Sequence, residues 1–287
     1  MKQNTLDEIK KKLQQEELPF SGTTELGSAR FEFRKAAGYA GIAIHAGSRI
    51  RADLISKLSV SSEDRYREED PGTDRFIEKL PIQVVALDSR FEYDVNRSED
   101  KAIPLTPEMA WGLTVWNSPP TTEEIATSLA KYREFHQLMD LVSAYLVGQA
   151  GGKGGGGRAI IFDLHSYCYE REKREPWYEN PKPVINLGTE AINEAVFRDL
   201  IDGFLLKLRN IRAEGRKITV AENEVFKGGY LARRLSALHR DNLAVFAIEF
   251  KKIFMDEWSG EFNLPVFEEL VEQFGDLVAD FVKDNMQ

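Results

Sequence analysis

Cysteine is almost absent from this sequence, which excludes the small proteins that depend on a framework of disulfides. The 287 residues include one cysteine, Cys168, and a lone thiol cannot close an intrachain bridge. A reducing compartment is therefore expected. The N-terminus has no apolar segment of the kind that begins a secretory signal, so a cytoplasmic location is expected.

Long apolar runs and a basic excess are also missing. No stretch approaches the roughly 18 apolar residues of a transmembrane helix. The net charge of −9 argues against binding to duplex DNA, which needs a basic surface to displace counterions, and against docking on an anionic membrane. With 42% hydrophobic residues the chain can still build a sizeable core. The composition favours a soluble protein without nucleic-acid or membrane partners and leaves its oligomeric state open.

Apolar runs that alternate with amphipathic segments predict an α/β fold. Strands are predicted at 29–35, 40–45, 82–87, 91–95, 159–164 and 243–250. Helices are predicted at 1–17, 52–58, 121–148, 194–212, 228–239 and 264–284. This alternation favours a mixed central sheet with helices on both faces, in one three-layer catalytic domain over 1–287. Residues 1–25 are expected to form an N-terminal helical extension of that domain.

A glycine-rich stretch, Ala150–Gly157, formally resembles a phosphate-binding loop. Such a loop needs a strand before it and a helix after it, because the helix N-terminus meets the phosphate. Here a predicted helix precedes the glycines and a predicted strand follows them. A flexible connector is therefore expected.

Two of the four histidines stand at the ends of predicted strands. His45 ends the apolar run that begins at Gly41, and His165 follows the strand at 159–164. Ligands bind beyond the carboxyl ends of strands in open α/β sheets, so two such imidazoles could share a metal ion. Zinc favours imidazole and carboxylate ligands and, in catalytic sites, keeps one position open for water. Spacing alone leaves a purely structural role open for both histidines.

Carboxylates near these histidines are candidates for the other roles at a metal site. A third ligand could come from the acidic loop after His45, which contains Glu68, Glu69, Asp70 and Asp74, although such a loop could also simply be solvated. Asp163 is expected to support the site without binding the metal. Glu249 interrupts an apolar strand, where an unpaired charge would be costly. It is predicted to act as a general base toward water, or else to form a buried ion pair with Arg90 or Arg97.

Polar groups around the strand predicted at 91–95 could bind an anion. Arg90 precedes this strand and the pair Asn96-Arg97 follows it. An arginine fork can hold a carboxylate through two hydrogen bonds or stabilise an oxyanion, although surface ion pairing would also explain these residues. Ser166 and Cys168 beside His165 suggest a nucleophile with its base, but sequence neighbours rarely have the geometry of a catalytic triad.

Taken in order, these segments resemble the N-formylglutamate amidohydrolase family over roughly Gly41 to Glu257. The matching pieces are His45-Ala46-Gly47, Glu69-Asp70 through Asp74, Arg90 through Arg97, Tyr132 and His136, Asp163 through Ser166, Asn223 through Tyr230, Ile248-Glu249 and Met255-Asp256-Glu257. The resemblance implies an α/β fold related to zinc carboxypeptidases and aspartoacylases. It also implies one Zn2+ ion and hydrolysis of an acyl–amide bond in a small anionic substrate.

The resemblance implies roles for individual residues by position. His45 and His165 match the metal histidines. Asp70 is expected to be the acidic ligand, with Glu69 and Asp74 as rivals, because Ser48 stands where the glutamate of a His-x-x-Glu motif would be. The expected catalytic residues are Glu249 and Arg90, and the expected substrate-binding residues are Asn96, Arg97 and Lys227.

Two departures from the family pattern are expected near substrate contacts. Phe250-Lys251 replaces the usual Asn-Arg after the strand glutamate, and Thr189 replaces an acidic residue after Gly188. The expected function is a zinc amidohydrolase acting on an N-acyl amino acid similar to N-formylglutamate. The alternatives are a carboxypeptidase-like or cell-wall peptide amidase that uses the same site, and a non-catalytic protein that binds an anionic metabolite.

Overall fold

The computed structural model of the chain describes residues 1–151, 157–171 and 174–286. Its strands are β1 (Gln3–Asn4), β2 (Phe20–Thr24), β3 (Ala29–Phe33), β4 (Tyr39–Ala43), β5 (Ile82–Ala86), β6 (Ala159–Tyr167), β7 (Ile185–Gly188), β8 (Arg212–Ala213), β9 (Arg216–Lys217), β10 (Val220–Glu222) and β11 (Leu243–Lys251). Its α-helices are α1 (Leu6–Gln14), α2 (Ala52–Ile55), α3 (Ser62–Glu68), α4 (Thr122–Gly151), α5 (Glu194–Leu208), α6 (Tyr230–Leu238) and α7 (Leu264–Asn285). Short 3-10 helices span Thr73–Ile77, Glu99–Lys101 and Pro107–Met109.

Nine of these strands form one mixed sheet in the order β1-β2-β3-β5-β4-β6-β11-β7-β10. Its centre is parallel, because β4 pairs in parallel with β5 and β6, and β6 pairs in parallel with β11. Antiparallel pairs join β2 to β3, β3 to β5, and β7 to β11. The carboxyl ends of β4, β6 and β11 therefore lie together on one side of the sheet. The positions of His45 and His165 at the ends of predicted strands led to this expectation.

Helices cover both faces of the sheet, which confirms the predicted three-layer fold. On β6, Phe162 packs with α5 and α7 in one apolar core, whereas Ile161 packs with α1, α4 and α6 in the other. Successive side chains of a strand point to opposite faces, so a strand buried on both sides reads as a continuous apolar run. That is why β6 and β11 were visible in the sequence.

The N-terminal segment is more than the helical extension expected over residues 1–25. Its helix α1 is shorter than predicted and begins at a capping box in which Thr5 and Glu8 bond each other's backbone N–H groups. Strands β1 and β2 on either side of α1 join the central sheet. In β2, buried Phe20, Gly22 and Thr24 alternate with more exposed neighbours, which is the period-two pattern of a strand with one buried face.

The strand predicted at 91–95 is wrong, because this segment forms turns. Phe91, Tyr93 and Val95 are buried, but so are Glu92 and Asp94, so the alternation of residue types does not mark an inner and an outer face. The backbone bonds locally, with Asp94 N–H donating to the carbonyl of Ala102 (2.8 Å).

Other boundaries differ by a few residues, and α5 ends at Leu208 where residues up to 212 were predicted to be helical. Most of the glycine-rich stretch, residues 152–156, lies outside the described residues. None of the helices in the described ranges has both the length and the apolar character needed to span a membrane.

Candidate metal centre and active-site cleft

The candidate site is built at the carboxyl ends of three neighbouring parallel strands. His165 lies near the end of β6 and is paired in register with Glu249 on β11. His45 follows the last residue of β4 by two positions. Gly47 lets the chain after His45 pass close to the backbone of Leu87, since a Cβ at this position would lie 2.3 Å from the carbonyl carbon of Leu87.

Three donor atoms meet at this edge of the sheet. Nδ1 of His45 lies 3.2 Å from Nδ1 of His165. Oδ2 of Asp70 lies 3.2 Å from the His165 nitrogen and 3.4 Å from the His45 nitrogen. Ligands about 2 Å from a tetrahedral ion stand about 3.3 Å from one another. The spacing of these donors therefore fits one zinc ion and leaves its fourth position for another ligand.

The outer nitrogen of each imidazole lies close to a second carboxylate. Nε2 of His45 donates to Oδ1 of Asp94 (2.9 Å). Nε2 of His165 lies 3.1 Å from Oδ1 of Asp163, at ion-pair distance but without the geometry of a hydrogen bond. A carboxylate behind a metal-binding histidine fixes its orientation and tautomer, so that the inner nitrogen is free to bind an ion. Both histidines therefore have the supporting groups typical of metal ligands.

Asp70 is the acidic residue that the fold brings to the two histidines. Its N–H donates to the carbonyl of His45 (3.0 Å), and its own carbonyl accepts from the hydroxyl of Thr73 (2.7 Å). The rivals lie elsewhere, since the Glu69 carboxylate accepts from Ser89 and Asp74 pairs with Arg30 at 2.7 Å.

The charge of this buried cluster calls for a cation. Burial alone would raise the pKa of Asp70, but hydrogen bonds from His165 and His45 hold it well below its usual range. Burial alone would lower the pKa of His165, yet Asp163 and Glu249 raise it well above its usual value. Buried carboxylates need compensating charge. The carboxylates around the two histidines are those of Asp70, Asp94, Asp163 and Glu249. Among the described residues, the guanidinium groups in contact with them are those of Arg90 and Arg97, and both contact Asp94.

Glu249 has the properties expected of a group that exchanges protons near neutral pH. Burial raises its pKa to about 7, against the opposing effect of His165. Neither Arg90 nor Arg97 forms a direct ion pair with Glu249 among the described residues, because Nη2 of Arg90 donates to Asp94 (2.8 Å) and Nε of Arg97 lies 3.4 Å from the same carboxylate. The charge of Arg90 still acts on Glu249 and lowers its pKa. A carboxylate with a pKa near the working pH is suited to general base and acid catalysis.

These groups lie in a cleft of about 420 Å3, a volume suited to a small molecule. The predicted site residues among its lining are His45, Asp70, Arg90, Asn96, His165, Lys227 and Glu249. Further cationic side chains in the lining are Arg67, Arg171, Lys182 and Lys252. Because the whole chain carries a charge of −9, this local excess of cations favours an anionic ligand.

Comparison with known proteins matches residues 42–255 to the sequence profile of N-formylglutamate amidohydrolase. The chain belongs to this family. The fold is similar to the crystal structure of N-formylglutamate amidohydrolase from Ralstonia eutropha JMP134, with 19% identity, a TM-score of 0.70 and coverage of 90% of this chain and 98% of that one. It is also similar to the Atu2144 gene product of Agrobacterium tumefaciens, with 22% identity, a TM-score of 0.57 and coverage of 85% and 90%. None of the curated proteins searched matches the sequence.

The three predicted substrate-binding residues of this amidohydrolase-family chain differ in how they lie relative to the cleft. Oδ1 of Asn96 accepts from the N–H of Leu231 (3.0 Å) at the start of α6, and a Cβ at Gly229 would lie 2.1 Å from the Asn96 amide nitrogen. Lys227 is mostly exposed and pairs with Glu190 at 3.0 Å. Arg97 lies beside Asp94 but is not among the residues that line the cleft.

The family departures lie outside the cleft, contrary to expectation. Phe250 is buried in an apolar core. Lys251 is buried too, and its ammonium donates to the carbonyls of Trp177 (3.3 Å) and Asn180 (3.2 Å). Thr189 bonds Glu222 and Asn223 at the base of the following loop. None of the three lines the cleft, so these substitutions give no reason to expect a lost activity.

Sequence reasoning missed several residues of the cleft wall. Lys252 is buried, and its ammonium donates to the carbonyls of Arg67 (2.5 Å) and Glu69 (2.6 Å). The Trp111 ring lies 4.6 Å from the guanidinium of Arg90. Lys252 could have been predicted, since a lysine that follows a buried strand must find polar partners. Trp111 stands in a loop, where no periodic pattern marks it.

The nucleophile–base hypothesis for Ser166 and Cys168 does not fit the structure. Oγ of Ser166 lies 3.4 Å from Oδ1 of Asp70 and not beside an imidazole. Burial raises the pKa of the Cys168 thiol to about 11, whereas a thiol nucleophile needs its pKa lowered. Both residues are better explained as parts of the cleft wall around the candidate metal centre.

Proposed function

We propose that this chain is a zinc-dependent amidohydrolase that cleaves the acyl–amide bond of a small N-acyl amino acid. The observation that carries the proposal is the triangle of donor atoms from His45, Asp70 and His165, with edges of 3.2 to 3.4 Å, in the same cleft as Glu249. A zinc ion held there would supply Lewis-acid polarisation of the amide carbonyl and would lower the pKa of water.

Glu249 is the proposed general base and acid. It takes a proton from the attacking water and returns that proton to the leaving nitrogen. Its place beside His165 in the strand register and its pKa of about 7 support this role. A carboxylate that can accept and release a proton at neutral pH contributes roughly 10²- to 10⁴-fold to such reactions.

Arg90 is the proposed donor to the oxyanion that develops on the carbonyl oxygen. Two of its nitrogens bond Oδ2 of Asp94 at 2.8 and 3.3 Å, and the Trp111 ring lies against its guanidinium. A donor fixed in advance stabilises developing charge without reorganisation during the reaction. The remaining guanidinium nitrogen is available for this purpose, since the two named bonds use Nε and Nη2.

The substrate is proposed to be an anion similar to N-formylglutamate. Asn96, Arg97 and Lys227 are proposed to hold its carboxylate, and the cationic lining of the cleft supports an acidic ligand. The amide nitrogen of Asn96 is the donor in this scheme, because its oxygen already accepts from the start of α6. Arg97 lies beside Asp94 at 3.4 Å, so it serves here only if its side chain turns toward bound substrate.

The test combines metal analysis with hydrolysis of N-formyl-L-glutamate. We expect about one zinc per chain, and His165→Ala should lower zinc affinity and kcat/KM by more than about 100-fold, since even supporting residues of metal sites matter by 10- to 100-fold. His239→Ala is the matched control, because His239 bonds Ser143 away from the cleft. Purified protein without stoichiometric zinc, together with unchanged hydrolysis by His165→Ala, would refute the proposal.

A panel of formyl-, acetyl- and peptidyl-amino acids assayed at equal concentration separates the substrate classes. Preferential release of the free amino acid from formyl or acetyl substrates supports the proposal. Preferential cleavage of peptides would instead indicate a carboxypeptidase-like or cell-wall amidase activity at the same site.

A further inference from the structure

Arg67 is a cleft-lining arginine that the reaction scheme leaves without a role. It lies on the last turn of α3, three positions before Asp70. Its guanidinium stacks on the indole of Trp258, with its central carbon 3.7 Å from the ring centroid. Nε and Nη2 are buried and have no hydrogen-bond partner among the described residues. Buried donors without partners are rare in folded proteins and are costly.

The other two arginines of the cleft are already engaged. Arg90 donates to Asp94 through two nitrogens. Arg171 forms a two-bond pair with Glu68, at 2.8 and 2.5 Å. The carboxylate nearest to Arg67 is that of Glu257, whose Oε2 lies 3.8 Å from Nη2, beyond hydrogen-bond distance. Glu257 accepts instead from the N–H groups of Tyr169 and Glu170.

Arg67 is also held in place before any ligand arrives. Lys252 fixes its backbone carbonyl, and the Trp258 indole supports one face of the guanidinium. The backbone at Trp258 is held in turn, since its amide N–H donates to Oδ1 of Asp256 (2.9 Å). A fixed guanidinium loses little conformational freedom when it binds a planar oxyanion.

We propose that Arg67 is a specificity-determining residue, which binds an acid group on the side chain of the substrate amino acid. This inference rests on the proposed function and extends it, since it assigns a second anion to a guanidinium separate from Arg90 and Arg97. The ammonium groups of Lys182 and Lys252 in the same lining favour that anion further. Pairing with Arg171 offsets the negative charge of Glu68, the acidic residue adjacent to Arg67 in the chain.

The experiment compares kcat/KM for N-formyl-L-glutamate and N-formyl-L-glutamine, which differ in the side-chain charge. In the wild type we expect the glutamate substrate to be preferred. Arg67→Met should reduce that preference by about 10- to 100-fold, the range for a hydrogen bond to a charged group, mainly through KM, while the glutamine substrate changes less than about twofold. Arg67→Lys, which keeps the charge without the fork, should lie between them.

Arg75→Met is the matched control. Arg75 also lies over an aromatic ring, that of Phe267 (5.8 Å), but pairs with Glu268 away from the cleft. It should leave the preference unchanged. Equal losses on both substrates in Arg67→Met, or an unchanged preference, would overturn the assignment.

Binding measurements keep this test independent of turnover. Titration calorimetry with N-acetyl-L-glutamate and N-acetyl-L-glutamine should give a preference for the glutamate compound that Arg67→Met removes. If the wild type hydrolyses neither formyl substrate but shows that preference and Arg67→Met removes it, the proposed reaction fails and the role of Arg67 stands. If the wild type binds the glutamate compound no better than the glutamine compound, the role of Arg67 is wrong.

Discussion

The histidines of the candidate metal centre and the histidine of the long helix are all buried, but their surroundings differ. His45 and His165 are 2% and 3% exposed, and His136 on α4 is 6% exposed. Carboxylates surround the first two, whereas His136 packs against the rings of Tyr132, Phe135 and Tyr230 at 4.3 to 6.0 Å. Burial lowers the pKa of His136 to about 4, while neighbouring acids raise that of His165.

The comparison shows that burial by itself does not identify a functional histidine. A neutral imidazole among aromatic rings is a packing element that avoids the cost of charge. An imidazole with carboxylates at both nitrogens is prepared for a positive charge, which a proton or a metal ion can supply. The following predictions test whether this difference in surroundings has the expected functional consequence.

The largest effect is expected from Glu249→Gln, which removes the proposed base and keeps the shape of the side chain. We expect kcat to fall by about 10²- to 10⁴-fold, while zinc remains bound because its three proposed ligands are intact. Steady-state kinetics with zinc analysis of the same sample measures both. Retained activity would show that Glu249 has no catalytic role.

An intermediate effect is expected from Asp94→Asn, which weakens the support of His45 without touching a proposed metal ligand. Zinc affinity should fall by about 10- to 100-fold, as measured by competition with a chromogenic chelator. Asp88→Asn is the control, since Asp88 is a buried acid that pairs with Arg49 and Lys131. Equal zinc affinities for wild type and Asp94→Asn would show that the carboxylate behind His45 does not contribute to metal binding.

The smallest effect is expected from His136→Phe, and it should appear in the pH dependence of stability. An unfolded histidine has a pKa near 6.5 and His136 in the folded protein has one of about 4. The unfolded state therefore takes up its proton first, and stability falls as pH drops from about 6.5 to about 4, by up to about 3 kcal/mol. Urea unfolding across this pH range should give a shallower dependence for the variant. An unchanged slope would mean that His136 is not held neutral.

Much of the fold could be predicted because its central strands are buried on both sides. The runs around Ile161 and Val245 are apolar throughout, as parallel strands between helix layers require. The edge strands β1 and β10 and the strand β7 beside β10 were missed because they are short and rely on neighbours for their pairing. The segment 91–95 misled for a different reason, since its charged residues are buried beside His45 and Arg51.

The candidate site could be predicted where strands end in chemically distinctive residues. His45, His165 and Glu249 follow this rule. Arg67 and Trp111 do not lie at strand ends. Their positions depend on how the segments between the central strands fold over the edge of the sheet. A residue separated by 191 positions from its stacking partner, as Arg67 is from Trp258, leaves no local pattern in the sequence.

The two adjacent lysines at the end of β11 support different parts of the protein. Lys251 holds the carbonyls of Trp177 and Asn180, whereas Lys252 holds the segment that carries Arg67 and Asp70. Each part can therefore evolve or be redesigned separately while its own lysine is kept. Inserting or deleting one residue after Glu249 would move one lysine into the place of the other and leave one pair of carbonyls without its ammonium group, so the length of this junction should be constrained tightly.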